Sequence, residues 1–261
     1  MGFKRMNKIV FFDIDGTLLD HDKKLPASTK EAIFELKENG VYVAIATGRA
    51  PFMFEHIRKD LEIESYVCFN GQYVVFENEV IYKNPLKTNL LESLVNISKS
   101  RQHPLVFLNE KTMKANVQYD ESIVTSMESL KLMKPEYDPD FYKDKEIYQS
   151  LLFCEEKDEN YYRDHFPEIL FIRWHELSMD VIPKGGSKAE GIKKMIERLG
   201  FNLSDVFAFG DGLNDIEMLS TVGTGVAMGN ATDIVKQNAD MITNDVAEDG
   251  IFNGLKKLHL I

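Results

Sequence analysis

The stretch Lys8-Ile9-Val10-Phe11-Phe12-Asp13-Ile14-Asp15-Gly16-Thr17-Leu18 decides the fold. Its apolar, partly β-branched first half reads as one buried strand of a parallel sheet covered on both faces, and it stops at two carboxylates two residues apart. Gly16 supplies the freedom for a sharp exit. In open α/β sheets the chemistry collects beyond the carboxyl ends of the strands, and Asp13 and Asp15 fall there.

Outward from this strand the pattern alternates. Ser28-Thr29-Lys30-Glu31 has the form of a capping box, opening a helix with Ala32, Ile33 and Leu36 as its apolar stripe and Gly40 as its stop. Residues 41–46 form a second buried strand ending at Thr47-Gly48-Arg49, Pro51 opens a further helix, and 66–69 form a third strand. Right-handed crossovers between parallel strands put Asp13, Thr47 and Asn70 on one edge. Residues 73–76 and 80–82 then form a hairpin leading away from the sheet.

From about residue 84 to 183 the pattern changes. Strands joined by short turns and a few helices, with a loop rich in Pro and Asp, indicate an α+β module with an antiparallel sheet inserted into the parent domain. The parent pattern returns with a second capping box, Ser187-Lys188-Ala189-Glu190, and an apolar stripe through Ile192, Met195, Ile196 and Leu199 up to Gly200. Residues 206–209 make another buried strand, which runs into Gly210-Asp211-Gly212-Leu213-Asn214-Asp215. Shorter strands at 225–228 and 241–243, with helices around Ile234 and Leu255, complete the sheet. The expected fold class is α/β: a Rossmann-like, doubly wound parallel sheet core (1–83 and 184–261) with an inserted α+β cap domain (84–183).

Composition narrows the partners. A formal net charge of -11 over 261 residues, with no basic stripe, argues against nucleic acid. No segment approaches the length of apolar chain that spans a bilayer. Near the N-terminus Lys4 and Arg5 precede an apolar run too short for a signal peptide, and Met6 rules out a myristoylation signal. The two cysteines, Cys68 and Cys154, lie in apolar runs without metal-ligand spacing and read as core thiols in a reducing compartment. A cytoplasmic protein, monomeric by default, is the expectation.

The topology gathers Asp13, Asp15, Asp211 and Asp215 at strand ends. Two like charges about 4 Å apart cost on the order of 4 kcal/mol at an effective dielectric near 20, so the cluster calls for a cation or for raised pKa values. Carboxylate ligands with no His or Cys nearby in sequence favour Mg²⁺ over zinc or copper. Of the lysines flanking Gly185-Gly186-Ser187, either Lys184 or Lys188 is placed to reach the cluster.

Asp13-x-Asp15-Gly16-Thr17-Leu18, Thr47-Gly48-Arg49, Lys188 and Gly210-Asp211-Gly212-x-Asn214-Asp215 resemble, in order and spacing, the four motifs of haloacid dehalogenase (HAD) superfamily phosphatases. The insert resembles the large cap of the Cof-type, subfamily IIB branch. The resemblance covers nearly the whole chain and implies a Mg²⁺-dependent phosphatase of small phosphorylated metabolites, with sugar phosphates the leading class. It implies that Asp13 is the nucleophile forming an aspartyl-phosphate and Asp15 the general acid and then base. Thr47, the Gly48 amide and Lys188 attend the phosphoryl group, and Arg49 and Asn214 contact phosphate or substrate. The metal falls to Asp13, Asp211, Asp215 and the backbone carbonyl of Asp15. Of the two lysines, the motif favours Lys188.

The same intermediate serves a phosphotransferase or phosphomutase, and a non-catalytic phospho-Asp switch also uses an acidic pocket with Thr and Lys, although such a switch needs no insert of this size. Other motif readings fail on spacing. Asp13-x-Asp15-Gly16 has its glycine two positions early for an EF-hand and Lys24 at the twelfth position, and Gly223-x-Gly225-x-x-x-Gly229 is one residue too long for a dinucleotide fingerprint. Arg173, Trp174, His175 and Asp180, near the return from the cap, are candidates for setting specificity.

Overall fold

The computed structural model describes residues 8–261; the basic residues Lys4 and Arg5 lie outside them. By internal packing the chain divides into two compact units, one of residues 8–48, 56–82 and 187–261, the other of Arg49–Glu55 and Lys83–Gly186.

The first unit begins with β1 (Ile9–Phe12), every residue of which is buried. Helix α1 (Ala27–Glu38) crosses to β2 (Tyr42–Ala46), and α2 (Glu55–Leu61) leads to β3 (Ser65–Cys68). These three strands are parallel, in register Phe11↔Ala44↔Ser65. Strands β4 (Tyr73–Phe76) and β5 (Glu79–Lys83) follow. They correct the expectation of a hairpin leading away: β4 pairs antiparallel with β3, and β5 lies beyond it as the sheet edge. A third strand with an open edge recruits the hairpin, since an unpaired ladder of N–H and C=O groups is itself the cost that a further strand removes.

In the second unit helix α3 (Thr88–Ser100) precedes β6 (Leu105–Leu108) and β7 (Met113–Ala115), then come α4 (Glu121–Ser129), β8 (Glu136–Tyr137), β9 (Gln149–Phe153), α5 (Glu156–His165), β10 (Ile169–His175) and β11 (Ser178–Pro183). The strands form a sheet in the order β10-β11-β9-β6-β7-β8, antiparallel except for the β7–β8 pair. Its core joins Leu91 and Leu94 of α3 and Tyr162 of α5 to Phe107, Leu152, Phe171, Met179 and Val181. The two-residue β8 lies in the Pro- and Asp-rich stretch where no strand was expected.

Back in the first unit, α6 (Lys188–Leu199) is capped by Ser187, whose hydroxyl accepts from the Glu190 N–H at 3.1 Å, the serine half of the expected capping box. The matching expectation at Ser28 fails. Helix α1 starts at Ala27 after Pro26, the Pro26 carbonyl accepts the first helical bond from Lys30 N, and no side chain caps it.

Strand β12 (Val206–Gly210), helix α7 (Ile216–Thr221), β13 (Thr224–Ala227), α8 (Asp233–Gln237), β14 (Met241–Ile242) and α9 (Gly250–Lys257) complete the chain. The sheet order is β14-β13-β12-β1-β2-β3-β4-β5, with β1 between β2 and β12 and parallel to both. Consecutive strands therefore run outward in opposite directions from the β1–β12 pair. That pair is the switch point of the winding, the place where a doubly wound sheet leaves a crevice at its carboxyl edge. Among the described residues no helix is long and apolar enough to cross a membrane.

Candidate active site

The crevice is fixed by register. Phe12 pairs with Phe209 and the Asp13 N–H donates to the Phe209 carbonyl at 3.0 Å, so Asp13 leaves β1 beside the last residue of β12, from which Asp211 departs one step later. Carboxylate oxygens of Asp13, Asp211 and Asp215 come within 4.8 Å of one another. Residues 198 positions apart in sequence thus share one cluster, the convergence the sequence required.

Lys188 joins them. It is 1% exposed, and its Nζ donates to Asp13 Oδ1 at 2.5 Å and to Asp215 Oδ1 at 2.7 Å. A buried ammonium in the first turn of a helix faces the positive end of the macrodipole, so its place depends on these two carboxylates. Burial pushes the Lys188 ammonium toward losing its proton, and Asp13 and Asp215 more than offset this, leaving its pKa above the ordinary lysine value. Burial likewise pushes the Asp13 carboxyl up, to about 7, against the pull of Lys188, with Asp215, Asp15 and Asp211 adding to the rise. Asp211 rises to about 6, through burial first and Asp215 second, with the Thr17 hydroxyl opposing.

The other oxygen of Asp215 accepts from the backbone N–H groups of Asp211 and Gly212 at 3.1 and 2.9 Å, which folds the 210–215 loop around a fully buried carboxylate. Asp211 accepts from the buried Thr17 hydroxyl at 3.0 Å. The turn after Asp15 passes so close that a Cβ on Gly16, whose φ is +79°, would lie 2.2 Å from Asp211 Oδ2. Only glycine satisfies both the left-handed backbone and that approach.

Asp15 is half-buried and accepts from Lys23 Nζ at 2.6 Å. It stands outside the group of three, and its carboxylate is not among the clustered oxygens. Thr47 is buried at the end of β2, with its N–H on the Val67 carbonyl and its own carbonyl accepting from Asn70 N, and Gly48 packs against the Asn70 amide. Asn214 is exposed in the 210–215 loop. Arg49 begins the second unit. Of the two lysines flanking Gly185-Gly186-Ser187, Lys188 is the one whose ammonium is bonded to the cluster. Cys68 and Cys154 are buried free thiols, as expected.

Two contacts had no signal in the sequence. Lys23 meets Asp15 from a turn in which it adopts φ +61°, and Asn230, in the turn after β13, donates to Asp211 Oδ2 at 3.2 Å. In the cap, Arg173 donates through Nε to Glu159 and through Nη1 to the carbonyls of Cys154, His175 and Glu176, which braces the cap, while its Nη2 lies buried without an acceptor among the described residues.

An all-oxygen, carboxylate-rich cluster with a buried lysine suits a hard divalent cation beside a phosphoryl group. Comparison with known proteins identifies the family. The family model for haloacid dehalogenase-like hydrolases matches residues 10–255. The chain is 52% identical over 255 residues to the protein YkrA of Bacillus subtilis (strain 168), covering 98% of this chain and 99% of that one. It is 31% identical over 252 residues to the 5-amino-6-(5-phospho-D-ribitylamino)uracil phosphatase YcsE of the same organism, covering 95% and 94%. Among solved structures, the HAD subclass IIB sugar phosphatase BT4131 superposes with a TM-score of 0.86 at 31% identity, covering 97% of this chain and 100% of that one. The chain belongs to the haloacid dehalogenase-like hydrolases, in the Cof-type, subfamily IIB branch, and is a HAD-type phosphatase.

Proposed function

We propose that the protein is a Mg²⁺-dependent phosphatase that hydrolyses small phosphorylated metabolites, sugar phosphates foremost, through an aspartyl-phosphate on Asp13. The observation that carries this reading is Lys188, buried and bonded at once to Asp13 and Asp215 beside Asp211. That arrangement supplies a nucleophilic carboxylate, a fixed cation and a set of hard ligands at one point.

In the first step an Asp13 oxygen attacks phosphorus as the bond to the leaving oxygen breaks, and Asp15 gives that oxygen its proton. In the second, water attacks the same phosphorus, its proton passes to Asp15, and the bond to Asp13 breaks to release inorganic phosphate. Lys188 offsets charge on Asp13 and the transferring group, and Thr47 with the Gly48 amide holds phosphoryl oxygens. Arg49 and Asn214 take the outer phosphate or substrate contacts. When bound, Mg²⁺ would neutralise phosphoryl charge from a site made by Asp13, Asp211, Asp215 and the Asp15 carbonyl.

Two relatives support the substrate class: BT4131 is a sugar phosphatase, and the substrate named for YcsE carries its phosphate on a ribityl chain. Both are polyols at the phosphoester. In the cap, buried Gln149 donates through Nε2 to Asp180 Oδ1 at 2.9 Å. A carboxylate only accepts, so this bond turns the amide oxygen the other way, and it lies buried without a donor among the described residues. A buried acceptor left so costs the cap about 1–3 kcal/mol.

The test is turnover of p-nitrophenyl phosphate with and without Mg²⁺, followed by a panel of sugar phosphates with product analysis. Expected are release of inorganic phosphate that requires metal, higher kcat/KM for the sugar phosphates, and a loss of about 10³-fold or more in Asp13→Asn with the fold intact. A folded sample without turnover in metal overturns the reading. An isomeric sugar phosphate in place of free phosphate replaces hydrolysis with a mutase reaction.

A further inference from the structure

We propose that Asn230 is a positioning residue that sets the orientation of the Asp211 carboxylate and of the turn after Asp15, and so tunes the affinity of the site for its divalent metal. The inference rests on the reading that Asp211 is a metal ligand.

The amide of Asn230 is fully used. Nδ2 donates to the Gly16 carbonyl at 2.8 Å and to Asp211 Oδ2 at 3.2 Å, and Oδ1 accepts from the Val246 N–H at 3.0 Å. The flip of this amide follows from its partners. Val246 N–H only donates and the Gly16 carbonyl only accepts, so oxygen and nitrogen have one possible assignment. Three pieces of chain that share no strand are tied together at one side chain: the turn after β1, the loop after β12 and the loop before α9.

The consequence for Asp211 is geometric. Thr17 donates to Oδ1 and Asn230 to Oδ2, so both oxygens are fixed and the carboxylate plane cannot rotate. Held this way, the Asp211 carboxylate keeps an oxygen within 4.8 Å of oxygens of Asp13 and Asp215. The bond to Gly16 fixes the peptide next to the Asp15 carbonyl, the proposed backbone ligand, with the same group. Gly229, one residue earlier, is pressed against the 244–245 backbone, with a notional Cβ 2.4 Å from Asp245 N, so the turn carrying Asn230 has little room to shift. No other residue type does this from that position. Aspartate would set a third negative oxygen against Gly16 O and Asp211, and glutamine, one methylene longer, would overshoot. Hydrogen-bond partners of metal ligands are typically worth about 10–100-fold in affinity or activity.

The test reads metal directly. Mn²⁺ uptake by the full-length protein, followed by electron paramagnetic resonance or calorimetry without substrate, is expected to weaken about tenfold in Asn230→Ala. The Mg²⁺ concentration for half-maximal turnover of p-nitrophenyl phosphate rises in step, while KM at saturating metal stays within about twofold. Asn230→Ser, which keeps one donor, is expected to fall between, and it carries the test if Asn230→Ala fails to fold. Val222→Ala, a core truncation in the same unit, lowers stability and leaves Mn²⁺ affinity unchanged. Wild-type protein that takes up no Mn²⁺ overturns the metal reading and this inference with it. Wild type that binds while Asn230→Ala binds within twofold of it, or while Val222→Ala weakens binding equally, overturns this inference alone.

Discussion

At the scale of single residues, the site is a balance among one ammonium and several carboxylates, and removing the ammonium exposes the balance. Lys188→Met keeps the length of the side chain and deletes its charge, leaving Asp13 and Asp215 buried against each other. Breaking a buried pair in this way costs about 3–5 kcal/mol, so urea denaturation of metal-free Lys188→Met at neutral pH is expected to show a loss of that size. Unchanged stability would mean the contact is not made in solution. Asp211 gives the pH dependence. Its pKa is raised to about 6 from an unfolded value of 3.8, so the native state holds a proton that the unfolded chain releases. This contribution to stability is complete below 3.8 and is lost as pH rises through about 6. Metal-free protein therefore becomes less stable across that window and divalent metal restores it, whereas protons compete at Asp13 below about 7 and at Asp211 below about 6, so Mn²⁺ binding weakens with each step of acidification. A binding constant flat from pH 7 to 5 would contradict this. Much of the chemistry at this scale was legible, because the carboxylates stand at strand ends and strand ends can be read. Asn230 and Lys23 were not, since their partners are a backbone carbonyl, a backbone N–H and carboxylates brought near only by the folded turns.

At the scale of elements, helix α6 is what brings Lys188 into the crevice, and its approach to the sheet depends on two glycines. A Cβ on Gly191 would lie 2.4 Å from Val67 Cγ1 and 2.8 Å from the Gly71 Cα, and Gly71 itself has φ +93° with its notional Cβ 2.0 Å from the Ser187 carbonyl. The helix rides directly on backbone. Gly191→Ala is expected to cost about 1–3 kcal/mol by overpacking, and, by lifting the first turn, to lower kcat more than the stability loss alone accounts for. Thermal unfolding and kcat measured on the same sample check this, and a variant with lower stability but wild-type kcat would show that the helix shifts without moving Lys188. The two capping boxes show why elements are read unevenly. Ser187 follows a glycine pair in extended backbone, and its hydroxyl caps the helix by accepting from the Glu190 N–H, while the Glu190 carboxylate accepts from Lys193. Near Ser28 the helix is instead opened by the carbonyl of Pro26, one residue before Ala27, which leaves Ser28 inside the first turn. A four-residue motif cannot register the proline that preempts it. The 73–83 hairpin was read correctly as a hairpin, yet its pairing partner is a property of the sheet edge and not of the hairpin.

At the scale of the whole molecule, the switch in pattern at both ends of the insert was visible because periodicity and connection lengths change there. Two separate cores follow from it. One is built on Ile9, Phe11, Ala44, Val206 and Ala208 with α6 and α7, the other on Leu94, Phe107, Leu152 and Phe171. Every proposed metal ligand belongs to the first unit, at the carboxyl ends of β1 and β12. A ligand that binds only the folded state stabilises whatever must be folded to bind it, by about 2.7 kcal/mol at a hundred times its dissociation constant. Since each unit has its own core, that stabilisation belongs first to the unit holding the ligands. Hydrogen exchange with and without Mg²⁺ is therefore expected to slow at residues 13–18, 211–215 and along β1 and β12, and to leave β9 and β11 of the cap unchanged in the absence of substrate. Equal slowing in the cap strands would show that metal binding depends on the second unit as much as on the first, and the site would then require ligands beyond the carboxylates of the core.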